Sequence, residues 1–99
     1  MKKQIMEALG QFKSVSNYED KINQYEILFE NGRIFQSYDS IIVVSFYYHD
    51  SDLSNTIWFG KGWNHSTTTS KYRNKFLGRD SKWCKDKVTK NEILVIDSL

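Results

Sequence analysis

Proline is missing from all 99 residues, cysteine occurs once, histidine twice and glycine five times. Each scarcity excludes something. Without proline there is no stiff extended linker of the polyproline kind. A single thiol rules out an internal disulfide and fits a reducing compartment, so the expectation is a cytoplasmic protein. One cysteine and two histidines sixteen residues apart match no zinc-ligand spacing, so no metal or other cofactor is expected. No apolar run approaches the roughly 18 residues that a membrane span requires. The longest, Ile41 to Tyr48, is interrupted by Ser45 and reads as a strand. Met1-Lys2-Lys3-Gln4 opens on basic residues, but no apolar stretch or small-residue cleavage site follows, so no secretory leader is expected.

Aromatic residues are plentiful at 15% of the chain, and these rings supply much of the apolar area available for a core. Charge is unevenly spread. Residues 1–60 carry five Lys/Arg against eight Asp/Glu, whereas residues 61–90 carry nine Lys/Arg against only Asp80 and Asp86. The net charge of +2 therefore hides a basic segment near the C-terminus.

Ile5, Met6, Leu9 and Phe12 follow helical spacing, and Gly10 or the polar stretch after Phe12 closes the pattern. Ser14 to Asn23 reads as a connector. Tyr25, Ile27 and Phe29 alternate with Glu26, Leu28 and Glu30 before Asn31-Gly32, a dipeptide that favours a tight hairpin with positive φ at both central residues. Arg33 to Gln36 returns, Ser37 to Ser40 turns the chain again, and Ile41 to Tyr48 forms a central strand. Thr56 to Phe59 is a fourth strand. Ser66, Thr67 and Thr68 are candidate caps for a helix from about Thr68 to Leu77, which Gly78 stops. Asp80 or Ser81 caps a second helix to about Lys90, and Glu92 to Asp97 returns to the sheet. The expected fold is α+β: a small, antiparallel-rich sheet of four to five strands packed against two or three short helices. Residues 1–23 form an N-terminal helix and connector, and residues 24–99 form the single domain.

Groups suited to catalysis are few. His49, with Asp50 and Asp52, reads as a solvated loop. His65-Ser66 are adjacent and so ill-placed to pair, which leaves Ser66 as a cap. Cys84 lies among lysines that would lower a thiol pKa, yet a buried, idle cysteine is the better reading. Gly60-Lys61-Gly62 lacks the length of a phosphate loop. The expectation is a binding protein and not an enzyme.

At about 100° per residue, Thr69, Tyr72, Arg73, Phe76 and Leu77 share one arc, with Lys71, Lys75 and Arg79 opposite. Lys82, Lys85, Lys87 and Lys90 extend the basic surface. Such a face suits nucleic-acid phosphates or an acidic protein. It is weighed against a merely solvated face. Lysine dominates over arginine there, which favours general electrostatic attraction over base reading. Phe46, Tyr47, Tyr48, Trp58 and Phe59 include rings that alternation would turn outward. They would serve base stacking, a protein interface or a homodimer. The candidate partner-binding residues are Lys71, Lys75, Arg79, Lys82, Lys85, Trp58 and Tyr48.

Two segments carry a resemblance. Asn31-Gly32-Arg33-Ile34-Phe35-Gln36-Ser37-Tyr38-Asp39-Ser40-Ile41-Ile42 and Trp63-Asn64-His65-Ser66-Thr67-Thr68-Thr69-Ser70-Lys71-Tyr72-Arg73-Asn74-Lys75-Phe76-Leu77-Gly78 resemble segments of small proteins of unknown function from phages and prophages of Gram-positive bacteria. Their shared patterns are N-G-x-[hydrophobic]-F-Q-S-Y-x-S-x-I and W-x-x-S-x-T-T-x-K-Y-x-x-x-F-L, and the match covers about residues 25–97. Trp58 and Trp83 depart from it. The resemblance implies a phage accessory protein, acting in the cytoplasm of the infected host. There it would bind and inhibit or redirect a host protein or protein–nucleic acid complex, as an anti-CRISPR protein does. The alternative is a nucleic-acid-binding module using residues 61–90.

Overall fold

A computed structural model describes residues 1–48 and 55–99. Its elements run α1 (Lys2–Leu9), β1 (Phe12–Asn17), a single 3-10 turn (Tyr18–Asp20), β2 (Gln24–Phe29), β3 (Gly32–Ser37), β4 (Ser40–Phe46), β5 (Ile57–Gly60), α2 (Thr67–Leu77), α3 (Ser81–Thr89) and β6 (Leu94–Ile96). The fold is α+β, as expected, with six strands where four to five were anticipated. The strands lie in sequence order in one sheet. Neighbours are antiparallel from β1 to β5, and β6 joins β5 in parallel. A parallel neighbour needs a crossover, and α2 and α3 supply it.

Helices cover both faces of the sheet. Under α1, Ile5 and Leu9 pack with Phe29, Ile34, Val44, Phe46 and Trp58. On the opposite face, Phe35, Ile42, Val43 and Phe59 meet Tyr72, Phe76 and Cys84. Strict alternation along β4 would separate Ile42 from Val43. A bulge opposite Phe35 and Gln36 gives β4 one extra residue, so that both turn to the α2 side. Two fully covered faces explain why β4 reads as an unbroken apolar run.

The extra strand, β1, replaces the expected connector, and its pattern explains the misreading. Phe12 pairs with Phe29 and Val15 with Ile27, so Phe12 and Val15 share a face although they are three residues apart. The bulge between Phe12 and Ser14 absorbs the odd residue and gives a strand the i, i+3 spacing of a helix. Gly10, at φ +78°, ends α1 after Leu9. Helix α1 packs onto the sheet. Ile5 and Leu9 are fully buried in the core, and each contributes about 1.5–3 kcal/mol of transfer free energy.

The first hairpin forms where expected, but its turn is shifted. Leu28 pairs with Arg33, so Glu30-Asn31 make the turn while Gly32 opens β3. Neither Asn31 nor Gly32 has positive φ. Glycine is required at 32 because a Cβ there would lie 2.6 Å from the Ser45 carbonyl oxygen and 2.8 Å from Leu9 Cδ2. The Asn31 amide donates to the Leu9 carbonyl, and its side chain donates to Ala8, fastening the turn to α1.

Candidate partner-binding face

The α2 sequence, Thr-Thr-Thr-Ser-Lys-Tyr-Arg-Asn-Lys-Phe-Leu, is a modest helix former, so its ends and its packed face hold it. Ser66 Oγ accepts from the Thr69 amide at 3.1 Å, and Gly78 closes the helix at φ +67°. Thr69, Tyr72, Arg73 and Phe76 are buried, the arc that 100° spacing assigns. Thr69 Oγ1 also lies 3.1 Å from Ser37 Oγ in a buried hydrogen bond that ties α2 to the end of β3. Asp80 caps α3 by accepting from the Trp83 amide at 2.8 Å.

That packing leaves Lys71, Lys75, Arg79, Lys82 and Lys85 exposed. Among the described residues the ion pairs are Arg33–Glu26 and Lys87–Glu92, so none of these five cations has a carboxylate partner. The basic row is not one helical stripe. Arg79 lies beyond Gly78, where the chain has left α2, and its guanidinium sits 4.9 Å from the Trp83 ring centroid. Lys71 and Lys75 flank the Tyr72 ring at 5.5 and 5.7 Å. The rings thus steady the cations at defined places, each contact worth about 0.5–1 kcal/mol at an exposed site.

Two grooves hold four of these five cations. Arg79 and Lys82 share theirs with Asp80 and Asp86, which weaken its positive field. Lys71 of α2 and Lys85 of α3 line a groove of about 540 Å³, whose described lining also holds Asn64, Ser70, Asn74 and Ser81 and no carboxylate. A further hollow of about 550 Å³ lies at the other side of the α2 N-terminus, where Asp39 accompanies Lys61 and His65.

Beneath the carboxylate-free groove lies Arg73, fully buried. Its Nη1 donates to the Trp63 carbonyl at 2.6 Å, and its Nη2 donates to Asn74 Oδ1 at 2.8 Å and Ser81 Oγ at 3.0 Å. The guanidinium also lies 5.4 Å from the Trp63 ring, which stacks on Phe59. Burial pulls the Arg73 pKa down, an effect the neighbouring Cys84 partly opposes. The group stays charged, because an arginine pKa starts well above neutrality. The inward arc named this residue, but nothing in the sequence marked it as a buried charge with neutral partners.

The aromatic half of the expected surface needs correction. Trp58 is fully buried on the α1 face, with Nε1 donating to the Asn55 carbonyl at 3.2 Å. Phe46 and Phe59 are buried too, because each face of the sheet has its own helical cover. Phe46, Trp58 and Phe59 therefore offer no exposed rings for base stacking. Tyr48 is exposed at 78%, with Tyr47 beside it, but both follow the end of β4.

Cys84 is buried, and burial raises its pKa, with Arg73 acting in the opposite direction. A thiol held neutral in this way is a poor nucleophile, in keeping with the idle reading and against activation by nearby lysines. His65 is exposed and Ser66 serves as a cap. His49, Asp50 and Asp52 lie outside the described residues. No helix of the described residues is long and apolar enough to cross a membrane. No family model, curated protein or solved structure matches the chain.

Proposed function

We propose that this chain is a binding protein whose α2–α3 surface docks on an acidic patch of a host protein or protein–nucleic acid complex and thereby inhibits or redirects it. The reading is that of a phage accessory protein of the anti-defence kind, acting in the host cytoplasm. One observation carries it: five exposed cations gather on α2, α3 and the link between them, and none forms an ion pair among the described residues. Cations left unpaired on a defined surface raise the rate of encounter with an acidic partner and set the register of docking. Lys71, Lys75, Arg79, Lys82 and Lys85 are the docking residues, and exposed Tyr48 is a peripheral candidate.

Direct nucleic-acid binding is the second reading, favoured by the carboxylate-free groove between Lys71 and Lys85. Salt separates the two. Phosphate contacts on duplex DNA give a log–log salt slope of about −0.9 per neutralised phosphate. The docking reading expects a specific partner captured from nuclease-treated host lysate, and little affinity of the isolated chain for bare nucleic acid at physiological salt. Sub-micromolar, steeply salt-dependent binding to bare DNA or RNA, with no capture after nuclease treatment, would replace the first reading with the second.

A further inference from the structure

The geometry points to a phosphate-binding site in the groove between α2 and α3, where a phosphate group supplies the counter-charge that buried Arg73 lacks among the described residues. Buried charges in proteins are normally paired with an opposite charge. Every recorded acceptor of Arg73 is neutral: the Trp63 carbonyl, Asn64 Oδ1, Asn74 Oδ1 and Ser81 Oγ. Three of those four residues, Asn64, Asn74 and Ser81, also line the groove, so the guanidinium polarises the groove's own wall.

The hydrogen-bond inventory shows what that wall offers. Ser81 Oγ accepts from both Arg73 Nη2 and Asn74 Nδ2, each at 3.0 Å. With both lone pairs occupied, the hydroxyl proton remains for donation. Asn64 Oδ1 accepts from Arg73 Nη1 and from Ser70 Oγ, each at 3.4 Å, which leaves the Asn64 amide N–H groups to donate. Lys71 from α2 and Lys85 from α3 line the same groove and bring two positive charges to it. The groove is thus rich in donors and positive charge, with no carboxylate among its described lining residues to repel an anion. A tetrahedral phosphate, whose oxygens accept several charge-assisted hydrogen bonds at once, fits that inventory. The site goes beyond the docking reading, because phosphate binding by the isolated chain requires no partner, and either can fail while the other stands.

The test is a titration of the full-length chain with inorganic phosphate, against chloride at constant ionic strength, read by amide chemical shifts. The expected result is saturable shifts at Ser70, Lys71, Ser81 and Lys85. Substituting K71Q with K85Q, both at exposed positions, should weaken binding about tenfold or more through the loss of two charge-assisted contacts. Substituting K2Q with K3Q removes the same charge from α1 and should change nothing. A short single-stranded oligonucleotide then separates the sources. Displacement of phosphate identifies a backbone phosphate as the ligand, and its failure to displace identifies a free phosphate ion. Shifts that do not saturate, that are absent from the groove, or that weaken equally in both double variants overturn the site.

Discussion

The two faces of the sheet are built by different rules. Beneath α1 the core is almost entirely aliphatic and aromatic: Ile5, Leu9, Ile34, Val44 and Trp58 meet with little polar chemistry between them. Beneath α2 and α3 the rings of Phe35, Tyr72 and Phe76 share their space with two arginines and a hydroxyl pair. Arg33 lies 4.0 Å from the Phe76 centroid, donates to the Phe76 carbonyl and pairs with Glu26. Arg73 and the Ser37–Thr69 bond lie on the same side. A purely stabilising face has no need of a buried cation such as Arg73, which costs desolvation wherever it sits. Both faces bury an apolar cluster, but only the α2–α3 face also carries the unpaired charge on which the proposed recognition rests.

That comparison breaks most visibly at Trp58. Trp58→Ala should destabilise the fold by about 3–5 kcal/mol in urea unfolding, the range for emptying a buried aromatic site. A loss below about 1 kcal/mol would mean that the α1 face tolerates a void and that its stabilising role is overstated. Next in size is Arg73→Lys, which keeps the charge but abandons the fork that reaches Trp63, Asn74 and Ser81. The expected cost is about 1–3 kcal/mol from acceptors left unmatched. An unchanged unfolding midpoint would show that Arg73 does not organise the groove wall. Ser66→Ala should cost about 1 kcal/mol, while Thr67→Ala and Thr68→Ala leave the midpoint in place. Equal losses at all three positions would contradict a single cap. The smallest effect is pH-dependent. Burial raises the Cys84 pKa, so the native state keeps its proton where the unfolded chain has lost it. Stability is therefore undiminished below the ordinary thiol value of about 8.5 and declines as pH rises past it toward the folded value. Cys84→Ala should flatten that decline on the α2–α3 side, and an identical alkaline profile in both proteins would locate its cause elsewhere.

Much of this architecture was legible in local chemistry. Alternation marked β2, the apolar run marked β4, and the hydroxyl cluster before Lys71 with Gly78 after Leu77 bracketed α2. What escaped depends on tertiary pairing. β1 was hidden because Phe12 continues the helical spacing of Ile5 and Leu9 and the bulge after it breaks the alternation of the polar stretch that follows, and the hairpin turn moved because Gly32 is needed for close packing against Leu9 and β4. Trp58 was misassigned because alternation shows that one strand face differs from the other, not that both are covered. The exposed lysines followed directly from helical spacing, whereas the neutral surroundings of Arg73 join residues from a loop, α2 and α3.

The central claim, that recognition belongs to the α2–α3 face, is tested most directly by matched charge reversal with partner capture as the readout. One variant combines K71E, K75E and R79E, and the other combines K2E and K3E with K13E on the exposed β1 edge. All six lysine and arginine side chains are exposed, so each variant should unfold within about 0.5 kcal/mol per substitution of the parent. The account predicts that the first loses its partner, chiefly through slower association, while the second captures it as the parent does. Retention of the partner by the first variant, or an equal loss in both, would contradict it.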